Sequence, residues 1–163
     1  MKPLPTFDLS EQSLRFRRKP LVDELTKRYP EDTIIDSIWL PVIRATMELH
    51  RDISGYGAAR ALEHLRTASH YEAAAEFWPQ YLRGQAYLQL KQVGEAKAEF
   101  QKILDHRGYA PLSPLYPLAR LGFARASASR KDYEDFFVLW KDADAELPIL
   151  RAAHWAYELA ANQ

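Results

Sequence analysis

The residues best equipped for chemistry in this chain of 163 are its five histidines, its 22 carboxylates and the tripeptide His50-Arg51-Asp52. An aspartate that follows His-Arg is the base of a phosphoryl-transfer loop, taking the proton of an attacking hydroxyl. That reaction also requires an asparagine five residues further on, a glycine-rich loop over the phosphates and a second, metal-binding aspartate in a DFG triplet. Gly57 stands at the asparagine's place, and neither of the other two elements occurs. His64, His70, His106 and His154 lack the H-E-x-x-H spacing that sets two imidazoles on one helix face for zinc. Cysteine is absent, which excludes thiolate ligands, disulfides and cysteine nucleophiles. No Walker loop, dinucleotide fingerprint or serine elbow is present. The expectation is a chain with no catalytic residue, no metal and no cofactor.

Twenty-two basic residues balance the 22 acidic ones, so no whole-molecule field draws in a nucleic-acid backbone or an anionic membrane. Arg15, Arg17, Arg18 and Lys19 beside Phe16 form the one basic cluster, which in a neutral chain reads as a solvated terminal segment. No apolar run approaches the roughly 18–20 residues that span a bilayer, and charges and prolines interrupt the first twenty residues too often for a secretory signal. A cytoplasmic chain with neither a nucleic-acid nor a membrane partner is expected.

Without a site to carry function, the elements themselves become the informative feature. Three segments share a template: "IWLPVIRATMELHR" (38–51), "FWPQYLRGQAYLQLKQ" (77–92) and "LYPLARLGFARASA" (115–128). An aromatic recurs as Trp39, Trp78 and Tyr116, a proline as Pro41, Pro79 and Pro117, and a small residue as Ala45, Gly84 and Gly122 at spacings of 39 and 38 residues. Proline suits the first turn of a helix, where a missing N–H orphans nothing. Each segment therefore reads as a helix opened by its proline. A mid-helix glycine costs about 1 kcal/mol against alanine, so its recurrence marks a neighbour that packs too close for a β-carbon.

Partner helices follow. After the turn "KQVG" (91–94), Ala96, Phe100, Ile103 and Leu104 fall on one helical stripe, and in the first unit Ala58, Ala61, Leu62 and Leu65 do the same. The organisation expected is an irregular segment 1–19, a half repeat 20–37 opened by Pro20, repeats at 38–70 and 77–106, a third unit at 115–141 and a capping helix at 147–161. Ser10 is the candidate N-cap of any helix before Pro20, and Pro20 is expected to break it.

In "YLRGQAYLQLKQVGEAKAEFQKIL" (81–104), Gly84, Tyr87, Ala96 and Phe100 come in the order of a tetratricopeptide repeat, which this segment resembles. The flanking units depart from that pattern, with Glu48 and Arg125 in place of the tyrosine and periods longer than the usual 34. Segments 99–108 and 139–153 are similar to tetratricopeptide stretches at the C-terminal ends of bacterial multidomain proteins. The resemblance spans roughly residues 21–160. It implies an all-α solenoid of helical hairpins that binds a protein or peptide. In such folds the first helices line a concave groove, which would place Trp39, Val42, Thr46, Leu49, Trp78, Tyr81, Gln85, Gln89, Tyr116, Ala119 and Phe123 on it.

The third unit lacks its turn. "GFARASASRKDYEDFF" (122–137) holds no breaker after Gly122, and Gly122 stands 14 residues before Phe136 where Gly84 stands 16 before Phe100. Against the family pattern the deficit is about seven residues, two helical turns. The two helices would then fuse into one rod over 115–141, with Phe136, Phe137, Leu139 and Trp140 projecting from their own repeat. A second copy would house them by domain swapping, giving a homodimer built on Ser129, Tyr133, Phe136, Phe137 and Trp140. The alternative is a real but poor bend in which serines and Asp132 support the chain. The function expected is a non-enzymatic interaction scaffold. Its alternatives are a purely structural dimerisation module and, from another class, a small helical enzyme or nucleic-acid binder.

Overall fold

The computed structural model describes residues 11–51 and 55–160, with the side chains of 11–19 outside that description, and the described residues hold helices and no strand. The α-helices are α1 (Glu11–Arg28), α2 (Leu40–Arg51), α3 (Tyr56–His64), α4 (Trp78–Gln89), α5 (Val93–Asp105), α6 (Leu115–Ser127), α7 (Arg130–Leu139) and α8 (Pro148–Ala160), with a short 3-10 helix over Thr67–Tyr71 between α3 and α4. From α2 onward each packs on the next in chain order, and α4 also touches both α2 and α6. Small residues permit this: Ala45, Ala58, Ala61 and Ala86 are fully buried where α2, α3 and α4 meet.

The recurring small residues act on one side chain. The fully buried ring of Phe100 in α5 lies between Gly84 of α4 and Gly122 of α6, and a β-carbon on Gly84 would come within 2.6 Å of it. At Gly122 the approach is closer still. No real β-carbon tolerates such a distance without a shift of the ring, so both glycines are required by packing.

Two prolines do less than the sequence suggests. Pro20 lies within α1, so residues 11–19 are helical rather than irregular, and the helix is not broken. Pro20 is exposed, where water can satisfy the carbonyl that its missing N–H leaves. Pro41 does not open its helix either. Helical backbone begins at Thr33, with the Asp32 carboxylate accepting the N–H groups of Ile34 at 2.9 Å and Ile35 at 3.0 Å. A π-helical turn over Ile35–Trp39 then closes with the N–H of Leu40 on the carbonyl of Ile35, a widened turn that accommodates the absent donor of Pro41. The Ser10 cap lies outside the described residues. Pro79 does sit in the first turn of α4.

The turn after α4 is made by Lys91, held at φ 59°, with Gln92 N–H donating to Tyr87 carbonyl at 2.9 Å and Lys91 N–H to Leu88 carbonyl at 3.0 Å. That pair of bonds is a Schellman closure built without glycine, Gly94 lying within α5.

A left-handed residue also ends the helix in place of the rod over 115–141. α6 stops at Ser127, Ala128 turns left-handed at φ 50°, Ser129 is extended, and α7 begins at Arg130. The Ser127 hydroxyl accepts the N–H of Ser129 at 3.3 Å and is hydrogen-bonded to the Asp132 carboxylate. The fused helix is therefore corrected to a bend of the serine and aspartate kind. Its swapped dimer loses its premise, because α7 folds back on α6 and buries Tyr133 and Phe136 against Leu121, Ala124, Leu150 and Ala153 of the same chain. Ala128→Gly is expected to gain about 0.5–1 kcal/mol, the relief of about 1–2 kcal/mol of left-handed strain less the entropy of a freer unfolded chain. Thermal denaturation reads this as a rise in Tm; in a continuous helix the same substitution would lower the stability by about 1 kcal/mol, and Tm would fall.

Candidate binding face

Helix α4 is the centre of the molecule, flanked by α2, α3, α5 and α6, and none of its twelve residues is fully exposed. Along it Trp78 and Tyr81 meet edge to face with centroids 6.2 Å apart, and Tyr81 lies 6.1 Å from the Phe100 ring. Burial pushes the Tyr81 hydroxyl above its ordinary pKa, while the charge of Arg125 from α6 and a hydrogen bond with Gln85 act against that. One half-buried aromatic pair with polar handles, Tyr81 hydroxyl and Gln85 amide, results. Arg125, read from sequence only as the replacement of a tyrosine, supplies positive charge to this face and also to Tyr133.

The other expected groove residues divide. Val42 and Leu49 are buried in the core with Ala45 and Leu65. Thr46 donates its hydroxyl to the Val42 carbonyl at 2.8 Å and lines an apolar cavity of about 440 Å³ between α1 and α2. Gln89 donates to the Leu49 carbonyl at 3.2 Å, fastening α4 to the end of α2. Trp39 is exposed at the end of the π-helical turn. On α6, Ala119 is fully buried, Tyr116 lies under the Arg107 guanidinium at 4.7 Å, and Phe123 lies under the Lys97 ammonium at 5.6 Å. Those two rings are partly covered by cations of the α5 side. The structure thus gathers Trp78, Tyr81 and Gln85, and spreads the remainder. Of the residues expected at a dimer contact, Tyr133 and Phe136 are core, Phe137 and Trp140 are half-buried against it, and Ser129 forms the bend.

Sequence reading missed an ion network. Arg83 Nε donates to Glu99 at 3.1 Å and Arg83 Nη2 to Glu72, Nη2 also lies 3.0 Å from the Glu99 carboxylate as an ion pair, and Lys102 Nζ donates to Glu99 at 2.9 Å. The Arg83 and Glu99 side chains are each only 11% exposed. They form part of the wall of a polar cleft of about 650 Å³ between α3 and α5. Its cations are matched, Arg83 and Lys102 as above and Arg66 with Glu63 at 3.2 Å, so no surplus charge is left to recruit an ion. The signal lay sixteen residues apart, on two helices whose register only packing sets. Gln80 was missed as well: it is fully buried, and neither amide atom finds a protein partner. Glu48, at the tyrosine's place in the first unit, pairs instead with Arg60 of α3 at 3.3 Å.

His50 Nδ1–H donates to the Thr46 carbonyl at 2.8 Å and His106 Nδ1–H to that of Lys102 at 2.7 Å, while His154 stacks on Phe137 with centroids 4.1 Å apart. Burial lowers the pKa of His64. Asp52 lies outside the described residues. Among the described residues no group of three or more His, Asp or Glu is placed to hold a metal ion, and no helix is long and apolar enough to cross a membrane. Comparison with protein-family models, with curated proteins and with solved structures finds no match to this chain.

Proposed function

We propose that this chain is a non-enzymatic helical-repeat module of tetratricopeptide type, which binds a peptide or partner helix across α4 and its neighbours α2 and α6. The observation that carries this reading is the seat of Phe100 between Gly84 and Gly122, matching places of two successive first helices. One aromatic so held sets adjacent hairpins in a regular stack, the organisation by which helical repeats present an extended face. On that face Trp78 and Tyr81 supply large rigid apolar area with few rotors, and Gln85 and the Tyr81 hydroxyl supply orienting hydrogen bonds. Arg125 favours an acidic residue in the bound segment.

Selection of binders from a displayed peptide library with the purified chain, followed by titration calorimetry, tests the reading. Peptides that bind are expected to lose about tenfold or more in affinity on Trp78→Ala or Tyr81→Ala, and to move the Trp78 indole N–H signal. Selected peptides whose affinity neither substitution alters, or a library that yields none, would refute it.

A further inference from the structure

The last helix of the stack carries a second surface, distant in sequence from the face on α4. α8 buries Leu150 and Ala153 and partly buries Ala156, Tyr157 and Ala160 against the α6–α7 pair. Its opposite side is exposed and carries Arg151, Trp155, Glu158 and Leu159, with Trp155 68% and Leu159 45% accessible. At about 100° per residue these four side chains fall within an arc of about 100°, a single stripe along the helix. A tryptophan left so open at the centre of a stripe is a marked departure for a side chain that buries large apolar area when it can.

The charges say what covers it. Arg151 lies four residues before Trp155 and Glu158 three residues after, so the stripe reads positive, aromatic, negative along the helix. Turned end for end by a two-fold axis near Trp155, the same stripe reads negative, aromatic, positive. We propose that this face is an isologous contact with a second copy of the chain, in which two α8 helices run antiparallel with Trp155 against Trp155. Arg151 of each copy then meets Glu158 of the other, so one surface is complementary to itself as a closed two-fold contact requires. Glu158 also lies within the field of Arg130 in its own chain. No helix is exchanged, and the bend at Ala128 stays intact in each copy. A 13-residue helix is about 20 Å long, so the contact falls below the size of a standard interface and the dimer is weak, growing with concentration.

Sedimentation equilibrium across a hundredfold concentration range reads this directly. The wild-type chain is expected to move from monomer toward dimer, and Trp155→Ser to weaken that association about tenfold or more. Arg151→Glu and Glu158→Arg each place like charges together twice and are expected to weaken self-association when studied alone. Mixed in equal amounts the two variants recover opposite pairs at both ends, and a heterodimer returns. Circular dichroism and Tm identify any variant that has lost its fold; Trp155→Ser and Arg151→Glu change only exposed side chains and keep the test available. A wild-type chain that stays monomeric throughout gives the face to some other occupant and overturns the proposal. So does a dimer indifferent to Trp155→Ser, or a mixture that fails to restore association.

Discussion

Phe100→Ala is expected to lower stability by about 3–5 kcal/mol, the cost of deleting a fully buried aromatic whose surroundings cannot collapse. For a chain of this length that is a fall in Tm of about 10 °C or more. The site cannot close because the ring bridges two helices at residues that have no side chains of their own. A sharper result concerns the glycines. Gly122→Ala should destabilise the wild-type chain even though alanine is the better helix former by about 1 kcal/mol, because its β-carbon overlaps a ring that is enclosed on every side. In the Phe100→Ala background the sign reverses: the added methyl now fills part of the cavity and the helix propensity is gained without a clash. Urea denaturation of the four chains of this cycle measures it. A Gly122→Ala substitution that stabilises both backgrounds equally would show that the ring does not occupy the glycine's space.

Glu99→Ala is the second large effect, an expected loss of about 3–5 kcal/mol. The carboxylate accepts one hydrogen bond from Arg83 Nε and one from Lys102, forms an ion pair with Arg83 Nη2, and its side chain is as buried as that of Arg83. Its removal leaves a guanidinium in the wall between α4 and α5 with Glu72 as its remaining partner, and Arg83 Nη1 already has none. The pair as a whole is worth much less than this. Replacing both members, Arg83→Met with Glu99→Met, exchanges a desolvated ion pair for apolar contact of similar volume, and is expected to restore most of the stability that Glu99→Ala loses. Glu72 is the more exposed acid and keeps access to water in that double variant. Chemical denaturation of the single and double variants decides it; a double variant as unstable as Glu99→Ala would mean that the ions themselves hold α4 to α5.

Much of the architecture is legible in the residues because it follows from local periodicity. The stripe of Ala96, Phe100 and Ile103 predicts an amphipathic α5, and those three are buried in one cluster. The recurrence of Ala45, Gly84 and Gly122 predicts places of close approach, and two of them embrace the same ring. What could not be read were consequences of contact across helices. The Arg83–Glu99 pair joins residues whose proximity depends on how α4 and α5 are rotated about their axes. The division of the expected groove, with Val42 and Leu49 inward and Trp78 and Tyr81 half open, depends on which neighbours surround each helix.

The third unit separates the two levels most clearly. By itself the sequence determined that helix precedes and follows Ser129, which it read as one rod over 115–141 where the structure has two helices ending at Ser127 and Leu139, and that Tyr133, Phe136 and Phe137 are an apolar cluster. Local preference then favours one continuous helix, since Ala128 in left-handed backbone costs about 1–2 kcal/mol and no glycine relieves it. Only the tertiary structure decided for the bend. Folding back buries Tyr133 and Phe136 against α6 and α8, at about 1.5–3 kcal/mol for each large side chain, and that gain outweighs the strain of a single residue.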